Sequence, residues 1–429
     1  MTIHVVSAGE TLFSIAAQYG VSVEDIAADN GLTIADPLVV GQALIVIPDR
    51  VTHTVQEGET VADIATLYGI SVNDLLYQNP PIVNAATITA GQVLTVQGGT
   101  PKLGTLSVNA YVYDFVDDAT LRRTLPYLTY VTIFGYGITP DGGLIPADDS
   151  RILVAAREYG VAPLLLLTAL DDAGGFSSEN VSAMLNSLEA REALYTALEQ
   201  VVQEKNYYGV DVDFEFIPPA DKELYASFVS ELEQRLESLG KSVFVALAPK
   251  TSDEQAGLLY EAHDYGALGA AADGVLLMTY EWGYAYSEPM AVAPIDKVTE
   301  VVRYGLSRIP AYKILMGIPN YAYDWALPRD EGERARTITN SEAPALARQY
   351  GAVIEYDTTA QTPFFNYTDS GGRTHEVWFE DARSLDAKLR LAGGESLFGV
   401  GVWNAMNFYQ PLWTLIQELF DIRKVTLDK

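Results

Sequence analysis

The 429-residue sequence contains no cysteine, and this excludes disulfide bonds, thiolate metal sites and cysteine nucleophiles. It has only four histidines, none in the HExxH spacing of a zinc hydrolase, so that class is disfavoured. Basic residues are also scarce, since 27 Lys and Arg stand against 57 Asp and Glu, for a formal net charge of -30. Such a chain has few cations to displace phosphate counterions. We therefore expect no nucleic-acid or anionic-lipid partner.

Long hydrophobic runs are missing as well. The run "APLLLLTAL" (Ala162–Leu170) is far too short to span a bilayer, and we expect no membrane span. The start, "MTIHVVSAGE", has neither a basic segment nor an apolar core of a signal peptide. We expect either that the protein does not use the general export route or that a signal has been removed. The composition, 48% hydrophobic and 20% charged, is globular, and the length suits two or three domains.

A repeat occupies the N-terminal part of the chain. "HVVSAGETLFSIAAQYGVSVEDIAADN" from His4 aligns with "HTVQEGETVADIATLYGISVNDLLYQN" from His53, and each copy closes with "GQ" and a short β-branched run. Thr11 and Thr60 are suited to cap a first helix, while a glycine ends it and a serine starts the second. The pattern predicts two βααβ units, residues 1–49 and 50–98, followed by a linker at 99–104.

The remainder, residues 105–429, alternates apolar runs with helical patterns. Eight such runs begin at Leu106, Leu128, Ala162, Tyr207, Lys241, Gly274, Lys313 and Leu397. This pattern predicts an α/β fold of the (β/α)8 barrel (TIM barrel) type. The alternative is a doubly wound open sheet, which is disfavoured because no GxGxxG turn follows the first strand. Between about residues 328 and 380, the stretches "VIEYD", "FFNYT" and "HEVWFE" with the turn "DSGG" predict a small α+β insertion after the seventh strand.

The fourth run, "YGVDVDFEF" from Tyr208, carries three acids at alternate positions: Asp211, Asp213 and Glu215. Alternate side chains of a strand share one face, about 6.5–7 Å apart. We expect these acids to form a row inside the barrel that rises to the C-terminal mouth, where barrel enzymes have their active sites. Carboxyls so close together in a low dielectric cannot all ionise cheaply. At least one pKa should therefore be raised, as general-acid cleavage of a glycosidic bond requires.

Both N-terminal repeats resemble LysM domains, which bind glycans containing N-acetylglucosamine in peptidoglycan and chitin. The resemblance implies a glycan groove between the loop before the first helix and the loop after the second. In this chain those loops are 9–12 with 30–34, and 58–61 with 79–82. The implied contact residues are Gly9, Thr11, Leu12, Asn30, Gly58, Thr60, Val61 and Asn79. The alternative for each residue is a role in a turn or cap alone.

The barrel segment resembles glycoside hydrolase family 18, the chitinase-like hydrolases. "GVDVDFE" is similar to the family's DGxDxDxE signature, "MTYE" from Met278 to its MxYD motif, "GIPNYAYDW" from Gly317 to the end of its seventh strand, and "GVGVW" to the strand ending in a floor tryptophan. Three positions depart from the family pattern: Tyr208 replaces an acid, Phe214 a tryptophan, and Glu281 an aspartate.

The resemblance implies a retaining, substrate-assisted mechanism without metal or cofactor. Glu215 would be the acid and base, Asp213 would hold the acetamido N–H, Asp211 would support Asp213, and Tyr280 would bind the acetamido oxygen. Trp403 would form the floor of the sugar site, with Met278 and Glu281 nearby. Aromatic residues near strand ends are further candidates for sugar stacking: Tyr113, Phe134, Tyr136, Trp282, Tyr284, Tyr321, Tyr323 and Trp325.

The whole arrangement resembles the spore-associated cortical-fragment-lytic N-acetylglucosaminidases of spore-forming bacteria. This resemblance implies hydrolysis after N-acetylglucosamine in cortex peptidoglycan, with the LysM domains holding the glycan, and a location in the spore coat, cortex or cell wall. One alternative is a chitinase or chito-oligosaccharide hydrolase with the same residues. A second is a non-catalytic wall- or coat-binding protein, against which the intact acid row argues.

Overall fold

The computed structural model describes residues 1–79, 82, 88–98, 101–171, 175–330 and 332–426. Residues 80–81 of the second predicted glycan loop and residues 99–100 of the predicted linker lie outside this described part. The first N-terminal unit consists of β1 (Thr2–Val5), α1 (Leu12–Tyr19), α2 (Val23–Asp29) and β2 (Ala43–Val46). The second consists of β3 (Val51–Thr54), α3 (Val61–Tyr68), α4 (Val72–Gln78) and β4 (Val93–Gln97). In each unit the two strands pair antiparallel, as the repeat predicts.

Helix caps explain why both units fold alike. In the first, the Thr11 hydroxyl accepts the Ser14 N–H at 3.1 Å, while the Ser14 hydroxyl accepts the Thr11 N–H at 2.9 Å. Thr60 and Asp63 form the same reciprocal pair at the start of α3. These pairs satisfy backbone donors that the first helical turn leaves without partners. The predicted caps are confirmed.

The C-terminal part contains strands and helices in alternation. The strands are β5 (Gly104–Tyr113), β6 (Tyr130–Ile138), β7 (Leu144–Ile145), β8 (Ala162–Thr168), β9 (Gly209–Asp213), β10 (Ser242–Leu247), β11 (Gly274–Leu277), β12 (Ile314–Pro319), β13 (Ala322–Leu327), β14 (Arg336–Ile338), β15 (Glu355–Asp357), β16 (Thr362–Thr368), β17 (Thr374–Trp378), β18 (Gly399–Trp403) and β19 (Phe420–Ile422). The helices are α5 (Asp118–Thr124), α6 (Ser150–Glu158), α7 (Ser178–Asn186), α8 (Leu188–Glu204), α9 (Lys222–Glu237), α10 (Tyr265–Ala271), α11 (Ile295–Leu306), α12 (Glu342–Gln349), α13 (Ala382–Gly394) and α14 (Gln410–Leu419).

Eight of these strands form a closed parallel barrel. Their order around the barrel is β5, β6, β8, β9, β10, β11, β12 and β18, and β18 pairs with β5 to complete the circle. All eight coincide with the apolar runs of the sequence, so the predicted barrel is confirmed and the open sheet is wrong. The short strand β7 pairs antiparallel with β6. Strand β19 pairs parallel with the first three residues of β5, at the N-terminal end of that strand. The C-terminal strand ends therefore meet at one mouth.

The insertion is a five-stranded antiparallel sheet in the order β14, β13, β17, β16, β15, with α12 between β14 and β15. It has its own small core, which includes Phe365, Val377 and Ala343. The "DSGG" turn joins β16 to β17, as predicted. The run from Lys313 forms two strands, not one, because β12 ends at Pro319 and β13 enters the insertion sheet at Ala322. Between them the Asn320 amide donates to the carbonyls of Asn404 and Asn407, and this holds the turn.

The first N-terminal unit packs directly on the C-terminal part. The Ile354 N–H donates to the Val40 carbonyl at 3.0 Å, and the Thr414 hydroxyl donates to the Asp29 carbonyl at 2.9 Å. Gly41 lies at this contact with φ +87°, and a Cβ there would come within 1.9 Å of the Ile354 carbonyl oxygen. Residues of β2 also join the core formed by the barrel. The unit is therefore held in a defined orientation near the insertion.

Candidate active site

The three acids of β9 are graded by depth. Asp211 lies inside the barrel with 1% of its surface exposed, whereas Asp213 and Glu215 are only partly buried. The strand ends at Asp213, so Glu215 lies beyond the strand, at the mouth of the barrel. Phe214 points outward and packs on Phe228 of α9, as the alternation predicts. Alternation thus places the carboxyls on the inner face, in the predicted order.

Asp211 is anchored by its neighbours on β5 and β6. The Tyr111 hydroxyl donates to Asp211 Oδ2 at 2.7 Å. Burial raises the pKa of Asp211 to about 6, although hydrogen bonds from Tyr111 and Thr132 oppose the shift. The other oxygen, Oδ1, is buried without a hydrogen-bond partner among the described residues. An oxygen of this kind is suited to share a proton with the carboxyl above it.

Asp213 and Glu215 both favour the protonated state. Burial raises the pKa of Asp213 well above its ordinary value, and the negative charges of Glu215 and Asp211 raise it further. Burial also raises the pKa of Glu215, helped by the charge of Glu281. The two groups titrate as a pair, since each proton affects the other. The raised pKa values favour the protonated forms, which general-acid chemistry requires.

Tyr280 and Glu281 lie three and four residues after the end of β11 and are close to this row. Tyr280 is 7% exposed, and burial together with the charges of Asp213 and Glu215 raises the pKa of its hydroxyl well above the ordinary value. It therefore remains a hydrogen-bond donor. The carboxylate of Glu281 accepts hydrogen bonds from Tyr321, and from Tyr323 at 3.1 Å. These bonds hold Glu281 in a fixed direction, and its backbone adopts φ +66°.

Aromatic rings form the floor beside the acids. Trp403 ends β18, and its ring lies 5.5 Å from that of Tyr111, 6.1 Å from that of Tyr113 and 6.1 Å from that of Phe134. Tyr113 is close enough to the acid row for the charge of Asp213 to raise the pKa of its hydroxyl, after burial itself. An apolar ring surface next to acidic groups suits the face of a sugar.

The cleft above this floor has a volume of 400 Å³. One side is formed by Tyr113, Trp403 and the loop after β18; the other is formed by Tyr321, Tyr323, residues 337–339 of the insertion and Glu342. Glu281 also lines it. Five of the predicted site residues therefore surround one cleft: Tyr113, Glu281, Tyr321, Tyr323 and Trp403. The insertion thus supplies a wall of the site that the sequence pattern did not indicate.

Tyr136 does not join this group. A bulge at Gly135, with φ +143° and a register shift between β6 and β8, interrupts the alternation of β6. The Tyr136 side chain is fully buried, and its hydroxyl donates to Asp149 at 2.5 Å and accepts from Lys205 at 2.9 Å. The structure therefore places Tyr136 in a polar network with α6 and α8, and the expectation of a sugar contact is not supported by its geometry.

The other predicted residues have mixed surroundings. Met278 is buried in the barrel core, and Trp325 is fully buried with its indole N–H lacking a partner among the described residues. Trp282 is partly buried, and its backbone N–H donates to the Val292 carbonyl. Tyr284 is 43% exposed and lies beside Tyr286. None of these four lines the cleft described above.

Tyr208, which stands where an acid is expected from the resemblance, lies at the bottom of the barrel. Its ring is 5.5 Å from that of Tyr130, which also contacts Phe244 at 5.3 Å and Phe398 at 6.4 Å. Here the aromatic ring extends an apolar floor at the opposite end from the mouth. The replacement therefore changes the base of the barrel and leaves Asp213 and Glu215 in place.

His263 is a residue that sequence reasoning missed. It is buried, and its Nδ1 accepts the Ala248 N–H at 2.8 Å, so the hydrogen is on Nε2. Nε2 donates to the Phe214 carbonyl at 3.0 Å, directly before Glu215. Burial lowers the pKa of His263 to about 4, so the ring is neutral. A single histidine outside any motif carries no sequence signal for this role.

The predicted glycan residues of the N-terminal units have structural contacts. The Asn30 amide donates to the carbonyls of Ile26 and Ile45 and accepts the Ile45 N–H, and Asn79 repeats this pattern with Leu75 and Thr95. Thr11 and Thr60 are helix caps, Leu12 and Val61 are core residues, and Gly9 and Gly58 are turn residues with φ +84°. Contact with a glycan by these eight residues stays a prediction.

Comparison with known proteins agrees with the site. Residues 172–407 match the model of glycosyl hydrolases family 18, and residues 4–46 and 53–97 match LysM domains. The chain is 39% identical to a cortical fragment-lytic enzyme of Bacillus subtilis (strain 168), over 99% of this chain and 100% of the other. It is 37% identical to the cortical fragment-lytic enzyme of Bacillus anthracis, over 98% of each.

Solved structures give the same result. The spore cortex-lytic enzyme SleL of Bacillus megaterium QM B1551 superposes with a TM-score of 0.84 at 35% identity, over 99% of both chains. A chitinase from Chromobacterium violaceum ATCC 12472 superposes with a TM-score of 0.67 at 26% identity, over 73% of this chain and 98% of the other. Among the described residues, no helix is long and apolar enough to cross a membrane. With its acid row, its closed barrel and these matches, the chain belongs to glycosyl hydrolases family 18 and carries two LysM domains at its N-terminal end.

Proposed function

We propose that this protein hydrolyses β-1,4 glycosidic bonds after N-acetylglucosamine in spore cortex peptidoglycan, with retention of configuration and with the substrate's acetamido group as nucleophile. The observation that carries the proposal is the graded row Asp211, Asp213 and Glu215, whose neighbours Tyr113 and Glu281 line a cleft together with Trp403. The named relatives, cortical fragment-lytic enzymes similar over their full length, support the choice of substrate.

Glu215 is the proton donor in the first step. It lies highest of the three acids, and burial together with the charge of Glu281 raises its pKa, which favours the protonated form. When it protonates the leaving glycosidic oxygen, the bond from that oxygen to the anomeric carbon breaks. The acetamido oxygen of the same sugar forms a new bond to the anomeric carbon, which gives an oxazolinium ion. Glu215 is left as a carboxylate.

Asp213 is poorly suited to be a nucleophile itself. Because its pKa is raised well above the ordinary value, it holds a proton or shares one with its neighbours and does not carry a free charge. It is suited instead to hydrogen-bond the acetamido N–H and to stabilise the positive charge as it develops. Tyr280, a protonated hydroxyl beside it, donates to the acetamido oxygen and aligns it for attack.

The second step restores the enzyme. The Glu215 carboxylate takes a proton from water, and the water oxygen bonds to the anomeric carbon as the bond to the acetamido oxygen breaks. Two displacements at the same carbon retain its configuration. Glu215 is again protonated and the acetamido group is free. Asp211, held by Tyr111, supports the position of Asp213 through both steps.

The LysM domains bind the same polymer and hold the barrel on it. A location in the spore coat or cortex follows from this substrate, and an N-acetylglucosamine-containing glycan is the partner. The competing candidate is a chitin or chito-oligosaccharide hydrolase, which the likeness to a chitinase favours. Both candidates share the acid row and differ in the substrate that fits beyond the cleft.

The test is one assay on two substrates. The wild-type protein and the Glu215→Gln variant are incubated with peptide-free cortex glycan fragments and with chitin oligomers, and new reducing ends are counted. We expect faster turnover of the cortex fragments and a loss of about 10²- to 10⁴-fold in the variant. Equal activity of the variant would overturn the mechanism. Faster turnover of chitin oligomers would favour the competing candidate, and no hydrolysis at all would favour a binding protein.

A further inference from the structure

The catalytic cleft continues sideways toward the first LysM domain. Next to it is a second cavity of 300 Å³, which shares Thr339 and Asn407 with the cleft. A third cavity of 230 Å³ shares Asn340, Ser341 and Tyr409 with the second. We name the second and third cavities together the lateral groove. Its shared lining residues make it continuous with the catalytic cleft.

Two segments form the walls of the lateral groove along its length. One is 339–348, which includes the N-terminal turn and outer face of α12, and the other is 407–411, after β18. The far end is formed by the first LysM domain, through Gly31, Leu32 and Gln42. This places the loop after α2, one of the two loops implied to bind glycan, at the end of the groove.

The end of the groove is rigidly built. Arg348 of α12 donates to the Pro37 carbonyl at 3.2 Å, and Arg383 donates to the Gly41 carbonyl at 3.2 Å. An ion pair joins Arg50 to Asp29 at 2.9 Å, and Arg50 also approaches Glu418 at 3.6 Å. These contacts join the LysM loop region to the insertion and to the neighbouring helices. It acts as a fixed part of one surface.

Asn340 is an unsatisfied donor in this groove. It is 1% exposed and lines both cavities, and its Oδ1 accepts the Glu380 N–H at 2.9 Å. Its Nδ2 is buried with no hydrogen-bond partner among the described residues. A buried amide without a partner costs about 1–3 kcal/mol, which a ligand acceptor would recover. The carbonyl of an acetamido group, or a sugar hydroxyl, supplies such an acceptor.

The other lining groups also suit a sugar polymer. Tyr409 and Phe408 provide aromatic surface, and Thr339, Ser341 and Asn407 provide small polar groups. The guanidinium of Arg123 lies 4.0 Å above the Phe408 ring. Polar groups beside aromatic rings suit a glycan strand, whose sugars present hydroxyls at their edges and apolar faces.

We propose that the lateral groove binds the glycan strand beyond the catalytic cleft, so that the first LysM domain is the distal end of one continuous substrate site and not a separate tether. This inference rests on the proposed function, because it takes the occupant to be the strand that the cleft cleaves. The proposal requires that affinity for the glycan increase with the length of the strand, because a short fragment fills only the catalytic cleft and does not reach the lateral groove.

The experiment measures binding and not turnover. The Glu215→Gln protein is titrated by calorimetry with a tetrasaccharide and with long strands of peptide-free peptidoglycan glycan. Ala345→Trp fills the third cavity from an exposed position of α12, and Ser341→Trp narrows the groove at the cap of that helix, where no side-chain cap bond is lost. The matched control is Gln349→Trp, exposed on the same helix and outside the lining of the groove.

We expect long strands to bind the Glu215→Gln protein at least about tenfold tighter than the tetrasaccharide, and each groove variant to remove that advantage without changing tetrasaccharide affinity. The control should keep the advantage, and melting temperatures should show that all variants fold. Equal affinity for both lengths, or an advantage that survives both groove variants, overturns the inference. Failure of the proposed function is seen separately, as absence of hydrolysis by the protein with Glu215 intact.

Discussion

The imidazole Nε2 of His263 donates a hydrogen bond of 3.0 Å to the carbonyl oxygen of Phe214, the residue directly before Glu215. The other ring nitrogen accepts from Ala248 after β10, so the histidine joins the ends of two neighbouring strands. The Lys250 side chain donates from Nζ to the His263 carbonyl at 3.1 Å, and this bond extends the link. The acid at the mouth is thus held by a buried neutral imidazole that touches no substrate.

Replacing His263 by Leu should lower kcat with little change in KM. The change leaves the Phe214 carbonyl and the Ala248 N–H unpaired, at a cost of about 1–3 kcal/mol each, and frees the chain that carries Glu215. We expect a fall in kcat of about tenfold to a hundredfold, with partial recovery in His263→Gln, whose amide can both donate and accept. His375→Leu is the control, because that histidine bonds to buried Asp324 in the insertion sheet. Unchanged kcat in His263→Leu would contradict the positioning role.

His263 should also make the fold sensitive to acid. Its pKa is about 4 in the folded protein and 6.5 in the unfolded chain, so the unfolded state binds more protons between these values. This contribution to the free energy of unfolding is about 3 kcal/mol. It is fully present above pH 6.5 and is lost as pH falls toward 4. Urea unfolding of the wild type and of His263→Gln, compared at pH 7 and pH 4, measures it.

Wild type and His263→Gln must be compared because Asp211 changes the unfolding free energy with pH in the opposite direction to His263. Its pKa of about 6 lies above the unfolded value of 3.8, so its contribution is present below 3.8 and is lost as pH rises through 6. The difference between wild type and variant cancels that common effect. If the difference in unfolding free energy does not change between pH 7 and pH 4, the buried histidine is not the acid-sensitive group.

Glu281→Gln should shift the pH dependence of hydrolysis. The charge of Glu281 raises the pKa of Glu215, so its removal lets Glu215 lose its proton at a lower pH. Because Glu215 must be protonated to act as the acid, the alkaline limb of kcat/KM should move to lower pH. Glu342→Gln is the control, since this exposed carboxyl lines the same cleft and is not among the groups that shift Glu215. A shift toward higher pH would refute the assigned electrostatics.

Trp403→Ala and Tyr136→Phe should have different effects, because Trp403 lines the cleft and Tyr136 belongs to the polar network with Asp149 and Lys205. Loss of the Trp403 ring removes the apolar surface under the sugar, and we expect kcat/KM to fall by about a hundredfold or more. Tyr136→Phe removes the hydrogen bond to Asp149 and the one from Lys205, so it should lower stability by about 1–3 kcal/mol and leave KM unchanged. A raised KM in Tyr136→Phe would return that residue to the sugar site.

Local patterns in the sequence were sufficient for the acid row and for the helix caps. Alternation alone puts Asp211, Asp213 and Glu215 on one face, and the Thr11 cap needs only residues within one helical turn. Position near a strand end was not enough to place Tyr136, because the bulge at Gly135 interrupts the alternation of β6. A bulge is set by the pairing of β6 with β8, and a single strand carries little trace of it.

The sequence by itself determined the fold class, the order of the acids and their chemistry, because periodicity and residue type act over a few residues. Only the tertiary structure decided which groups tune those acids. Tyr111, His263 and Glu281 are far from β9 along the chain and meet it through closure of the barrel. It also decided that the first LysM domain meets the insertion, since that contact joins residues more than 300 positions apart in a way that no local pattern encodes.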